Sequence, residues 1–310
     1  MSKSLSLAVL IGGSLLYSNA VTADGLEPLV SADWLAERLD DPELVILDAT
    51  VLTERNDDGS ARSISGRAQY EAGHIPGAAF ADLINDLADE TSDLRFAVPP
   101  PDDFAASIAA LGVGDDSKVV LYDRAGSMWA ARVWWMLRWI GFDNAAILDG
   151  GLAAWEAAGH PLSTAPADYP QRSLSVNLRP ELIASRDEVF AAIDDESVEL
   201  LDAMPEGHYR GEWTLYARPG HIVSAGNVPV FSVLDDTGRF RSRDELRQLF
   251  HATEDNRTIH YCGGGIAASG TAFAMTLAGY DDVAVYTNSL QEWATDPGNP
   301  METSAGPTEP

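Results

Sequence analysis

Residues 258–269 read Thr258-Ile259-His260-Tyr261-Cys262-Gly263-Gly264-Gly265-Ile266-Ala267-Ala268-Ser269. An apolar run breaks into three glycines and resumes as a run of small and apolar residues, the pattern of a buried strand, a tight loop and a helix. Cys262 is the single cysteine of the 310-residue chain and stands at the strand's end. Glycines let successive N–H groups turn towards one atom, and the helix that follows points its positive end at the same place. Both effects favour an anionic sulfur, so the stretch reads as a nucleophile loop. A free cysteine is more often a small buried hydrophobe, but such a position has no use for a triple-glycine loop.

Outward from this loop the chain repeats itself. Leu44-Val45-Ile46-Leu47-Asp48-Ala49 and Gly73-His74-Ile75 in the first half match Leu200-Leu201-Asp202-Ala203 and Gly220-His221-Ile222 in the second. Lys118-Val119-Val120-Leu121-Tyr122-Asp123 leads to Gly141-Phe142-Asp143 and Trp155, as the run ending in Cys262 leads to Gly279-Tyr280-Asp281 and Trp293. Asp123 precedes Trp155 by 32 residues and Cys262 precedes Trp293 by 31. Two tandem domains of one fold explain the matched spacing. Short β-branched runs alternating with helix-length amphipathic segments predict an α/β fold, each domain a mainly parallel sheet flanked by helices. Loops at the carboxyl ends of such strands carry the chemistry. The expected division is a first domain over 28–160, a proline-rich linker over 161–178, a second domain over 179–300 and a fraying tail over 301–310.

Lys and Arg number 20 against 48 Asp and Glu, a formal charge of −28 that opposes nucleic acid and anionic membrane surfaces. The same field repels small anions, so a site for one needs its own arginines and backbone dipoles. Lys3, the apolar run Leu5–Leu16 and the small residues before Asp24 read as an export leader over 1–23, giving a periplasmic or secreted protein, with a cytoplasmic enzyme bearing an N-terminal extension as the alternative. No later stretch approaches the ~20 apolar residues of a membrane span. With one cysteine, no internal disulfide can form.

Gly73-His74-Ile75-Pro76-Gly77-Ala78, the Asp123 loop, the Gly-Gly-Leu-Ala-Ala-Trp run over 150–155 and the single-cysteine loop together resemble a two-domain rhodanese-type sulfurtransferase, over nearly all of residues 28–300. The resemblance implies two rhodanese-like domains, the first silent, with Asp123 in the cysteine's place, and the second carrying the thiol. It implies transfer of sulfane sulfur from a small anionic donor, thiosulfate or 3-mercaptopyruvate, to cyanide or a thiol acceptor. Cys262 would be the nucleophile, and the N–H groups of Gly263, Gly264, Gly265, Ile266 and Ala267 would cradle the persulfide. No metal, nicotinamide or other cofactor is required.

Related cysteine phosphatases need an arginine six positions after the cysteine to grip a tetrahedral oxyanion, and that position is Ala268. A dithiol reductase needs a second cysteine. Mercaptopyruvate-type members of the family tend to read Cys-Gly-Ser-Gly-Val-Thr and thiosulfate-type members a basic Cys-Arg-Lys-Gly-Val-Thr. The loop here is uncharged like the first but lacks both hydroxyls, at Gly264 and Ala267. By the resemblance His74 takes the position of a relay histidine, and Met204 stands where an arginine is common. Arg210 and Arg218 remain as candidate anion binders, with ordinary surface roles as the alternative. Asp48, Asp202 and His221 read as structural turn residues, and Trp129, Trp134, Trp135 and Trp139 as packing between domains. A sulfurtransferase and a persulfide-carrying or sulfur-sensing binding protein both fit the residues.

Overall fold

The computed structural model describes residues 26–55, 61–253, 255–304 and 306–307, so the expected leader over 1–23 lies outside the described residues. In chain order the first half forms β1 (Leu29–Val30), β2 (Leu44–Asp48), β3 (Val51–Arg55), β4 (Ala61–Ser65), β5 (Ala79–Phe80), β6 (Lys118–Tyr122) and β7 (Ala145–Leu148). β3 and β4 pair as an antiparallel hairpin, and the other five make one parallel sheet in the order β1-β7-β6-β2-β5. The second half forms β8 (Val198–Asp202), β9 (His221–Ile222), β10 (Gly226–Asn227), β11 (Arg257–Tyr261), β12 (Val283–Val285), β13 (Met301–Thr303) and β14 (Gly306–Pro307). β10-β8-β11-β12 is again parallel, and a bridge from Ile183 to Val285 marks the place that β1 fills in the first sheet.

β2 is buried at every position and β6 at all but its first residue, which is why they read as unbroken apolar runs rather than alternating ones, and β11 is as deeply buried although it carries Thr258 and His260. β6 and β11 occupy equivalent inner places, so their carboxyl ends deliver Asp123 and Cys262 to matching loops. The repeat extends to single hydrogen bonds. The Tyr122 and Tyr261 hydroxyls accept from Ile75 N and Ile222 N at 3.2 and 3.0 Å. Asp48 and Asp202 accept from the N–H two residues on, at 2.9 and 2.7 Å, the structural turn role expected of both.

The helices Met128–Trp139 and Ile266–Leu277, each following one of those loops, pack against each other across the domain boundary. Both are buried on nearly all sides, which explains their weakly amphipathic sequences. Trp134 meets Phe273 edge-on with centroids 4.7 Å apart, and Trp135 Nε1 donates to Leu182 O at 2.9 Å. One apolar core therefore runs through both domains. The linker is strapped to the first domain: His74 and Ser163 exchange backbone hydrogen bonds, and Asn177 N and Arg179 N donate to Ile140 O and Trp139 O.

The tail departs from the expectation of fraying. Met301–Thr303 pairs antiparallel with His221–Ile222, and the turn before it is gripped from both sides. Trp293 Nε1 donates to Pro300 O, and the Arg218 guanidinium donates to the carbonyls of Ala294, Asp296 and Asn299.

Candidate active site

Cys262 is 3 % exposed, its N–H donating to Ser289 Oγ at 3.1 Å and its carbonyl accepting from Leu290 N at 3.0 Å. These bonds fix the strand end against the start of the Ser289–Trp293 helix. Gly265 N donates to Cys262 Sγ at 3.2 Å. Gly265 adopts φ +83°, and a Cβ there would stand 2.6 Å from Thr287 O, so only glycine closes this turn. The N–H groups of Ile266, Ala267 and Ala268 belong to the first turn of the Ile266–Leu277 helix and have no helical carbonyl one turn earlier, which leaves them available to an anion at the helix N-terminus.

The first domain displays the same cradle filled. Asp123 is buried, and its Oδ1 accepts from Ala125 N and Ser127 N at 2.7 and 3.0 Å. Oδ2 accepts from Trp129 N and Ala130 N at 2.9 and 3.0 Å. Ser127, which precedes the Met128–Trp139 helix at φ +63°, donates to Asp123 as Gly265, which precedes the Ile266–Leu277 helix at φ +83°, donates to Cys262 Sγ. Burial raises the Asp123 carboxyl above the usual range while these four N–H groups oppose it. From Cβ to the anionic oxygen of an aspartate is two bonds, and from Cβ to the terminal sulfur of a cysteine persulfide is also two. Asp123 thus holds its charge where the second loop would hold a sulfur anion on Cys262.

Three neighbours complete the site, and the sequence reading found none of them. Tyr216 lies over the loop so closely that a Cβ on Gly263 would stand 1.6 Å from its hydroxyl, so no side chain fits at 263 while Tyr216 stays. Burial, reinforced by the Cys262 charge, raises the Tyr216 phenol far above its usual range, keeping it a neutral donor. From the first domain, the backbone of Arg95 exchanges two hydrogen bonds with the Gln291 amide, at 3.1 and 2.9 Å. Beside it Arg132 is buried, donating from Nη2 to Phe96 O at 2.8 Å. A signal was present for Arg132 alone: an arginine in a helix otherwise apolar through Met136 is out of pattern. Among the described residues no cluster of His, Cys, Asp and Glu is arranged to hold a metal.

The other expected site residues are committed elsewhere. His74 stacks on Tyr70 at 4.1 Å, with Nδ1 against Tyr70 O and Nε2 against Ala165 O, facing the linker and not the cysteine. His221 stacks on Tyr209 and meets Tyr209 O in the same way, so the histidine of the repeated turn is a structural part of both domains. Arg210 is half exposed and pairs with Glu206 and Glu212. Arg218 directs Nε and Nη2 to the carbonyls of the 293–299 turn and so holds the tail. Met204 is buried against the core.

With this geometry in view, the class is defined by its relatives. The rhodanese-like domain family matches residues 31–158 and 185–296. The 3-mercaptopyruvate sulfurtransferase of Escherichia coli is 33 % identical over 280 residues, covering 88 % of this chain and 97 % of the relative. The thiosulfate sulfurtransferase of Cricetulus griseus is 32 % identical over 278 residues, covering 86 % and 91 %. The crystal structure of SseA from Escherichia coli, described as a 3-mercaptopyruvate sulfotransferase with the rhodanese fold, superposes with a TM-score of 0.75 at 32 % identity, covering 85 % of this chain and 99 % of that one. The chain belongs to the rhodanese-like family, as a two-domain sulfurtransferase.

Proposed function

We propose that the protein moves sulfane sulfur from thiosulfate or 3-mercaptopyruvate to cyanide or a thiol acceptor through a persulfide on Cys262. The observation that carries this reading is the paired cradle, occupied by the Asp123 carboxylate in one domain and presenting the Cys262 sulfur in the other. The thiolate attacks the donor's outer sulfur; the bond from that sulfur to the rest of the donor breaks, and sulfite, or the enolate of pyruvate, leaves with the bonding pair. The negative charge then rests on the terminal sulfur among the N–H groups of the loop. An acceptor takes that sulfur and returns the thiolate.

What the loop lacks favours thiosulfate as donor. Gly264 and Ala267 supply no hydroxyl to protonate a leaving enolate, and His74 faces the linker, whereas sulfite leaves without needing a proton. Thiocyanate assays with both donors are expected to give kcat/KM for thiosulfate at least equal to that for 3-mercaptopyruvate, with Gly264→Ser moving the ratio towards mercaptopyruvate. A tenfold preference of the wild type for mercaptopyruvate, about 1.4 kcal/mol, would overturn the argument from the hydroxyls. Stoichiometric thiocyanate release without turnover, from either donor, would favour the persulfide-carrier reading.

The sequence of residues 1–23 further supports export to the periplasm or beyond. The mature chain isolated from a periplasmic extract should begin near Val21 or Asp24 by intact mass. Full-length protein confined to the cytoplasm would end this part of the reading.

A further inference from the structure

Arg132 is 1 % exposed, and although it belongs to the first domain it reaches the cysteine loop of the second. Its Nη1 is buried without a hydrogen-bond partner. That atom lies beside Gly265, where a Cβ would stand 3.1 Å from it, and Gly265 is the residue whose N–H meets Cys262 Sγ. Among the described residues Arg132 forms no ion pair with a carboxylate. Burial lowers the guanidinium to about 10, which still leaves it charged at neutral pH, and the one charge acting in the opposite direction is that of Cys262. A buried cation with a free donor and no carboxylate partner is costly unless an anion occupies its neighbourhood. Structural need accounts for Nη2, which holds Phe96 O and with it a residue at φ 58°, but it leaves Nη1 unexplained.

We infer that Arg132 is the fixed counter-charge of the sulfur anion at Cys262, supplied across the domain boundary, so that the first domain is a working half of the active site. It is a positioning residue: one negative charge is present at Cys262 both as thiolate and as persulfide, and the guanidinium faces it throughout. The inference rests on the sulfur-transfer reading, yet it can be tested without sulfur chemistry.

The experiment compares alkylation of Cys262 by iodoacetate and by iodoacetamide at one neutral pH. Each forms the same C–S bond and expels iodide, so their rate ratio cancels the reactivity of the sulfur and reports the local charge met by an incoming anion. In Arg132→Met the iodoacetate-to-iodoacetamide ratio is expected to fall tenfold or more, and in Arg132→Lys to stay within threefold of wild type. Arg132→Gln, neutral but still able to donate to Phe96 O, serves if the methionine variant does not fold, with the same expected fall. A purely structural Arg132 would lower the melting temperature and leave the ratio unchanged. A folded neutral variant whose ratio stays within threefold of wild type overturns the inference. A wild type that forms no persulfide yet shows the charge-dependent ratio would leave Arg132 as the counter-charge and overturn only the sulfur chemistry.

Discussion

Cys262→Ser is expected to abolish sulfur transfer, lowering turnover by about 10⁴-fold or more, because a serine alkoxide is scarce at neutral pH and cannot form a persulfide. Wild-type protein incubated with donor should gain one sulfur, about 32 Da by intact mass, and the variant should gain none. The small change in volume at a fully packed strand end should leave the fold intact, so circular dichroism separates lost chemistry from lost structure. A serine variant that still gains sulfur would place the nucleophile elsewhere and end the account of the loop.

The second large effect concerns stability. Asp123→Ala removes the acceptor of four buried N–H groups at once, each held between 2.7 and 3.0 Å. Unpaired donors in an apolar setting are expensive, and a loss of roughly 3–5 kcal/mol is expected, about 10 °C in melting temperature for a domain of this size. Asp123→Asn, which keeps an oxygen acceptor, should lose less. Turnover per folded molecule should fall by less than a hundredfold, since Asp123 caps the first domain's loop and does not meet the substrate. Calorimetry that finds Asp123→Ala melting within 2 °C of wild type would mean that the four bonds do not hold the loop.

The fold was legible because parallel strands buried on both faces leave unbroken apolar runs, and because the same strand, turn and tryptophan spacings occur twice. What escaped depends on partners distant in the chain. Met301–Thr303 has too few residues to show a period, and its pairing partner His221–Ile222 lies some 80 residues earlier. Arg218 looked like an anion binder because nothing local announces the carbonyls of 293–299 that it serves. His74 was misplaced despite a usable clue: the same Gly-His-Ile turn recurs in the half that carries the thiol, so the residue answers a need that both halves share. Cys262 stands out in the sequence because its glycines are local. Arg132 does not, since its role exists only once two helices from different domains are packed together.

The Asp123 loop also bears on what kind of state the empty enzyme is. In the first domain the anion is part of the chain, so the loop is satisfied as soon as it folds. In the second domain the Cys262 sulfur meets one of the corresponding donors, Gly265 N, and the proposed persulfide would carry the charge outward to the others. The two halves of one duplication therefore differ in completeness as well as chemistry: one carries its ligand by inheritance, and the other finishes its own structure each time it takes up a sulfur. Loading the cysteine is then a last step of folding, repeated and undone in every turnover.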